Sequence, residues 1–141
     1  MTGFAHQASC VAIGNRALLI EGPPGSGKSS LALALIDRGA VLIGDDGVWL
    51  EPRGGALRAS PHRNIAGKLE VRNLGLLDFP VESDVPVALI VSLDPAAERY
   101  IERAEFARRG AVELPLVRLD PRSPVLHLTA EHALIRYGLT P

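Results

Sequence analysis

The sequence predicts an α/β fold in which a mixed β-sheet is flanked by helices, within a single domain over residues 1–141. Short apolar runs at residues 17–20, 40–43 and 86–93 are typical of buried strands. Residues 30–38 have helical character and are followed by a glycine. A glycine-rich segment lies between the first of these strands and the helix. Strand, loop and helix therefore follow one another in that order.

Residues 6–13 are predicted to pair with residues 17–21, because Gly14-Asn15 between them can form a tight turn. Residues 48–51 are interpreted as a strand that returns after an Asp-Asp-Gly segment. The run at 86–93 is almost entirely apolar, which predicts a central strand covered on both faces.

The last third of the chain predicts three more elements. Residues 96–109 have helical propensity and end before a glycine. Residues 112–119 are predicted to be an edge or bulged strand, because Pro115 cannot donate to a sheet. Residues 124–137 are predicted to be a C-terminal helix, with Ser123 as its N-cap.

Composition excludes several classes of protein. The net charge is −1 and 47% of the residues are hydrophobic, which is typical of a folded domain. The arginines are scattered among acidic residues, so no nucleic-acid partner is predicted. Cys10 is the only cysteine, so an intrachain disulfide is excluded. The first 16 residues lack the pattern of a secretion signal and no run is apolar enough to span a membrane, so we expect a cytoplasmic protein with no membrane partner.

The glycine-rich segment at residues 22–29 fits the pattern of glycine, four residues and Gly-Lys-Ser. In this pattern, backbone N–H groups surround phosphate oxygens at a helix N-terminus. Lys28 would then meet the β- and γ-phosphates of ATP, and the Ser29 hydroxyl would ligate Mg²⁺. The alternative is an ordinary turn before a helix. The predicted nucleotide-binding residues are Gly22, Pro23, Pro24, Gly25, Ser26, Gly27, Lys28, Ser29 and Ser30.

Two carboxylates follow the predicted strand at 40–43. Asp45 and Asp46 come at the end of an apolar run and downstream of a phosphate loop, which favours a Mg²⁺-binding or general-base function. The alternative is a hairpin turn, and both interpretations can hold together.

In the segment Leu69-Glu70-Val71-Arg72, apolar and charged residues alternate. In a strand this would bury Leu69 and Val71 and place Glu70 and Arg72 on the other face. From the residues alone, Glu70 and Arg72 are interpreted as a solvated ion pair.

Taken together, the segments GPPGSGKS, GDD and LEVRNLGLL resemble the catalytic domain of the bacterial HPr kinase/phosphorylase family, in a short form without the family's amino-terminal domain. The resemblance implies a P-loop fold of the phosphoenolpyruvate-carboxykinase-like kind. It further implies an ATP- and Mg²⁺-dependent kinase that phosphorylates a serine of the phosphocarrier protein HPr, and a homo-oligomer, hexameric as in the family.

The resemblance also assigns roles to individual residues. Lys28 matches the loop lysine, Ser29 and Glu70 match the Mg²⁺ ligands, and Asp46 matches the carboxylate that deprotonates the serine. From its own place at the end of the apolar run, and not from the resemblance, Asp45 is added to the predicted metal ligands. His6 and Arg103 fall near the positions of a catalytic histidine and a catalytic arginine, which completes the predicted catalytic set of Asp46, Lys28, His6 and Arg103.

The chain departs from the family pattern at three places. Ser30 replaces a glutamate, Asn73 replaces a glycine, and residues 115–122 match poorly the segment associated with dephosphorylation. Kinase activity is therefore expected, whereas phosphorylase activity is left open. A small-molecule kinase and a nucleotide-binding regulatory module remain the alternatives.

Overall fold

The structure is a computed structural model that describes residues 3–141; the first two residues of the predicted domain lie outside this range. The described residues form strands and two helices in a mixed α/β arrangement, as predicted. The elements are β1 Phe4–His6, β2 Ser9–Ile13, β3 Arg16–Glu21, α1 Lys28–Asp37, β4 Val41–Gly44, β5 Val48–Arg53, β6 Ala56–Pro61, β7 Lys68–Val71, β8 Gly75–Asp78, β9 Val85–Leu93, β10 Glu105–Arg109, β11 Val112–Leu119 and α2 Leu126–Tyr137.

Strand β9 is the centre of the main sheet, as its almost entirely apolar sequence predicts. It pairs with β3 in parallel along one edge. Its other edge is shared, because β6 pairs antiparallel with Val85 and Pro86 while β11 pairs in parallel with residues 90–93. The main path of the sheet runs β1-β5-β6-β9-β3-β2-β4, and β10 extends it beyond β11. A separate hairpin consists of β7 and β8.

Both faces of the sheet are buried, so neighbouring residues of β3 belong to different apolar clusters. Leu18 and Ile20 pack in a cluster that contains the buried faces of α1 and α2. Leu19 packs in a second cluster, on the other face of the curled sheet, to which neither helix contributes. This alternation follows from the two-residue period of a strand.

The loop after β3 ends by winding directly into α1. The carbonyl oxygen of Gly27 accepts a hydrogen bond from the Leu31 amide (3.0 Å), so the first helical turn includes Lys28 and Ser29. The predicted helix at 30–38 is thus confirmed, but it begins two residues earlier. The order of strand, loop and helix places both side chains at the mouth of the loop.

The predicted helix at 96–109 is wrong. Residues 94–104 are irregular, and the remainder forms β10, which pairs antiparallel with β11. The helical pattern offered little to bury, since the side chain of Tyr100 is 74% exposed. Pairing with the free edge of β11 satisfies the backbone groups instead, and tertiary pairing of this kind overrides a weak helical propensity.

Two smaller predictions at the C-terminal end are also corrected. Strand β11 is internal, between β9 and β10, and Pro115 is tolerated because the pairing with β9 starts only at Leu116. Helix α2 begins at Leu126, and Ser123 is not its N-cap; the Ser123 hydroxyl instead accepts a hydrogen bond from the Val125 amide (3.2 Å). Among residues 3–141, neither helix has the length and apolarity needed to cross a membrane.

Candidate active site

A cleft of about 620 Å³ brings together three separate parts of the chain. Its walls are the glycine loop with the start of α1, the segment after β4, and the β7–β8 hairpin. Nine of the residues that line it are predicted site residues: Pro24, Gly25, Gly27, Lys28, Ser29, Ser30, Asp45, Asp46 and Glu70. The other predicted residues, which are Gly22, Pro23, Ser26, His6 and Arg103, do not line this cleft.

The geometry of the glycine loop suits an anionic ligand. Gly25 (φ 79°) and Gly27 (φ 103°) have left-handed backbone conformations that allow the loop to curl around a ligand. The first N–H groups of α1 have no partner within the helix, and the helix dipole favours negative charge at this end. Lys28 Nζ donates to the carbonyl oxygens of Gly22 (2.8 Å) and Pro23 (3.1 Å), so the ammonium group is held over the loop. The residues therefore fit the polyphosphate of a nucleotide.

Asp45 is the buried centre of the site. Its Oδ1 accepts hydrogen bonds from the hydroxyls of Ser9 and Ser29, both at 2.7 Å, and its Oδ2 accepts one from the Glu70 amide at 3.0 Å. The side chain thereby ties β2, α1 and β7 to the end of β4. Three converging donors satisfy a buried carboxylate, which would otherwise be costly to bury.

Ser29 and Asp45 together could hold a divalent cation. A hydroxyl and a carboxylate are hard oxygen ligands of the kind that Mg²⁺ prefers, and Mg²⁺ commonly completes its octahedron with phosphate oxygens and water. Glu70 lines the same cleft and adds a second carboxylate. Among residues 3–141, no group of three or more His, Cys, Asp or Glu side chains is arranged to hold a metal ion.

Asp46 differs from its neighbour in exposure and conformation. It is exposed, it has a left-handed backbone (φ 60°), and its Oδ1 lies 3.4 Å from the donor Nε2 of Gln7. Strained backbone of this kind is concentrated at functional sites. The simple hairpin interpretation of this segment is wrong, because β4 pairs with β2 whereas β5 pairs with β1 and β6.

Glu70 lies on β7 as its alternating sequence predicts, with Leu69 fully buried beneath the hairpin. Glu70 and Arg72 both line the cleft, and no ion pair between them is found in the described part of the chain. Leu76 is the cross-strand partner of Glu70 and is 67% exposed. Since opposite residues of an antiparallel pair share a face, an exposed leucine stands beside the carboxylate of Glu70.

His6 and Arg103 lie outside the cleft, in different places. His6 Nε2 lies 2.8 Å from Glu21 Oε2, at the point where β3 enters the loop. Arg103 lines a separate groove of about 230 Å³ together with Glu105 and Arg118. Arg109 instead binds Glu21, the residue before the glycine loop, through two hydrogen bonds.

This arrangement defines a P-loop protein of the α/β class. Strand β3 leads through the glycine loop into helix α1, and Lys28 and Ser29 begin that helix beside a buried aspartate. The chain matches the family described as "HPr Serine kinase C-terminal domain" over residues 3–103. This match covers more than half of the chain, which therefore belongs to that family. The resemblance predicted from the three sequence segments is confirmed.

Individual relatives agree with the family assignment. The chain is 44% identical over 63 residues to an HPr kinase/phosphorylase of Clostridium novyi, a match that covers 45% of this chain and 20% of the relative. It is 32% identical over 128 residues to an HPr kinase/phosphorylase of Chlorobium phaeovibrioides, covering 81% of this chain and 39% of the relative. The chain thus spans only a fifth to two fifths of the length of these relatives.

A solved structure supports the fold. The Hpr(Ser) kinase/phosphatase of Coxiella burnetii superposes with a TM-score of 0.82 over 94% of each chain, at 24% sequence identity. The predicted P-loop fold with a mixed sheet is confirmed by this match.

Proposed function

We propose that this protein is an ATP-dependent kinase that phosphorylates a serine of an HPr-like phosphocarrier protein. The observation that carries the proposal is the convergence of Lys28, Ser29, Asp45, Asp46 and Glu70 on one cleft. Family membership supports the same activity. Because ATP is available in the cytoplasm, the proposed activity implies a cytoplasmic location. Hexamer formation stays a prediction.

In the proposed reaction, the serine hydroxyl oxygen forms a bond to the γ-phosphorus as the bond from that phosphorus to the β–γ bridging oxygen breaks. Asp46 accepts the hydroxyl proton, and the products are phosphoserine and ADP. Lys28 and the loop amides stabilise the negative charge on the phosphate oxygens. Mg²⁺, where bound, supplies further neutralisation of phosphate charge, and Ser29, Asp45 and Glu70 are the residues that would hold it.

The division of labour between the two aspartates follows from their surroundings. Asp45 is buried and committed to three donors, so its side chain is fixed and cannot turn towards a substrate. Asp46 is exposed at the same cleft, and within residues 3–141 its side chain has only the long contact to Gln7. A group that must meet a hydroxyl on another molecule needs this accessibility, which favours Asp46 as the base.

A protein acceptor is favoured over a small molecule by the apolar surface at the mouth of the cleft. Leu74 and Leu76 are 70% and 67% exposed on the hairpin that carries Glu70. A small acceptor would leave these leucines in water, whereas a folded acceptor that presents a serine to Asp46 would cover them.

The test is incubation of the purified chain with γ-labelled ATP and HPr of the same organism, followed by phosphoserine analysis. Asp46→Asn is expected to lower transfer by roughly 100-fold or more while ATP stays bound. Asparagine accepts the left-handed backbone at this position, so the fold should survive. Asp37→Asn, an exposed aspartate at the end of α1, is the control.

Equal transfer by Asp46→Asn and wild type would reject Asp46 as the base. A wild-type protein that binds ATP but phosphorylates nothing would instead identify a nucleotide-binding regulatory module.

A further inference from the structure

A three-residue polar cluster lies at the entrance of the glycine loop, outside the cleft. Glu21, the last residue of β3, is its centre. Its Oε1 accepts from Arg109 Nη2 at 2.6 Å, and its Oε2 accepts from Arg109 Nε at 3.0 Å and lies 2.8 Å from His6 Nε2. The side chains of Glu21, His6 and Arg109 are only 17%, 23% and 24% exposed. Pairs this shielded are held more firmly than surface ion pairs.

The cluster determines the tautomer of His6. Burial would raise the pKa of Glu21, but hydrogen bonds and charge from His6 and Arg109 outweigh it and lower the pKa to about 2. Glu21 is therefore ionised at neutral pH, and an ionised carboxylate can only accept hydrogen bonds. The contact at 2.8 Å then requires a proton on His6 Nε2. In the neutral imidazole, Nδ1 then carries no proton and can accept a hydrogen bond.

The cluster also joins two edges of the sheet that do not pair with each other. His6 ends β1 and Arg109 ends β10, and these two strands are the outer ends of two branches of the sheet that both start at β9, one through β6 and β5 and the other through β11. The turn after β10 packs closely here, because a Cβ at Gly110 would collide with the ring of Phe4. The cluster is therefore the polar part of a contact that closes the curled sheet beside the loop.

The segment that begins at His6 reaches both aspartates of the site. Gln7 donates to Asp46 at 3.4 Å, and Ser9 donates to Asp45 at 2.7 Å. Gln7 and Ser9 follow His6 by one and three residues, so an anchor at His6 constrains the backbone segment that carries both donors.

We propose that Glu21 and Arg109 are positioning residues for the phosphoryl-transfer reaction. Arg109 orients the Glu21 carboxylate, and Glu21 holds His6 in the Nε2–H form and anchors residues 6–9 against the loop. Arg109, rather than Arg103, is thereby the arginine linked through Glu21 to the start of the glycine loop. This inference rests on the proposed function, since it concerns the same reaction.

The experiment combines nuclear magnetic resonance with kinetics. Long-range ¹H–¹⁵N spectra at pH 8, where imidazoles are ordinarily neutral, give the tautomer of His6 directly. His6 is expected in the Nε2–H form in wild type and as a mixture of tautomers in Glu21→Ala. Glu21→Ala and Arg109→Gln are expected to lower kcat for transfer by roughly 10- to 100-fold, the range seen when an outer-shell partner of a functional side chain is removed. The KM for ATP should change little, because neither residue lines the cleft.

A matched control comes from strands β10 and β11, the first of which also carries Arg109. Arg118 also binds a glutamate through two hydrogen bonds, to Glu105 at 2.8 and 3.2 Å, but this pair is exposed and touches neither His6 nor the loop. Arg118→Gln should leave both the tautomer and kcat unchanged. An equal loss of kcat in Arg118→Gln would overturn the proposal in favour of general loosening of the strand pair.

The remaining outcomes separate this inference from the proposed function. A transfer-competent wild type whose His6 carries its proton on Nδ1, or whose kcat is unmoved by Glu21→Ala and Arg109→Gln, overturns the positioning role alone. If Glu21→Ala does not fold, the tautomer of His6 in wild type and the kcat of Arg109→Gln still test the positioning role. A wild type that transfers no phosphate overturns the proposed function, and the positioning role falls with it.

Discussion

At the scale of single residues, the site depends on the acceptor capacity of Asp45. Its two oxygens receive three donors, from Ser9, Ser29 and the Glu70 amide. In Asp45→Asn, one oxygen becomes an NH₂ group that faces donors and leaves them unpaired. We expect a loss of about 1–3 kcal/mol in the free energy of unfolding, together with weaker Mg²⁺-dependent ATP binding. Chemical denaturation and titration of a fluorescent ATP analogue with and without Mg²⁺ measure the two effects.

Asp46→Asn is the control for this substitution, because Asp46 is exposed and its removal should leave stability nearly unchanged. If Asp45→Asn and Asp46→Asn were equally stable and bound ATP·Mg²⁺ equally well, the hydrogen bonds to Asp45 would have no role in holding the site together.

The sequence predicted the residues that belong to a recognisable local segment and missed their distant partners. Lys28, Ser29 and Asp45 were predicted because loop and strand patterns precede them. Ser9 was missed because its contact with Asp45 spans 36 residues, and Arg109 because its contact with Glu21 spans 88. A hydrogen bond across such separations leaves no periodicity in the sequence, so only the fold reveals it.

At the scale of elements, the turn of the β10–β11 hairpin contains a residue, Ala111, that does not suit its backbone conformation. Arg109 pairs with Val112, so Gly110 and Ala111 form a two-residue turn in which both φ values are positive, 54° and 67°. Glycine suits this turn, whereas alanine in the left-handed region costs about 1–2 kcal/mol. If glycine replaced this alanine, the cost would be relieved, but part of the gain would be offset by the greater conformational freedom of glycine in the unfolded chain.

We therefore expect Ala111→Gly to raise the free energy of unfolding by about 0.5–1 kcal/mol. Ala107→Gly, in the middle of β10, should lower it by roughly the same amount because that strand needs no positive φ. Urea denaturation of the two variants beside wild type measures both changes. A less stable Ala111→Gly would show that the turn does not adopt this conformation in solution.

The same hairpin explains why one element was predicted wrongly while the central strand was predicted correctly. A nearly continuous apolar run such as β9 is favoured only where both faces are buried, so its sequence determines its place. Half of residues 96–109 are charged, and whether they form a helix or a strand depends on the edge that β11 offers. That edge is a property of the assembled sheet and is absent from the local sequence.

At the scale of the whole molecule, the closure of the sheet at Glu21 makes stability depend on pH. The pKa of Glu21 falls to about 2 from an ordinary 4.5, because donors from His6 and Arg109 outweigh the opposing effect of burial. A lowered folded-state pKa means that the cluster stabilises the fold fully above pH 4.5 and loses this contribution as the pH falls from 4.5 towards 2. After allowance for solvent screening, the contribution is about 1–2 kcal/mol.

The prediction is that wild type exceeds Glu21→Gln in free energy of unfolding by this amount at pH 7, and that the difference shrinks steadily below pH 4.5. Chemical denaturation of both proteins at pH 7, 4 and 3 measures the difference directly. Glu105→Gln serves as the control: its carboxylate is also paired, with Arg118, but its side chain is 55% exposed and the pair should contribute little at any pH. A wild-type advantage that stayed constant from pH 7 to 3 would show that Glu21 acts through packing alone, because only an ionised carboxylate held between Arg109 and His6 loses its stabilising effect when it takes up a proton.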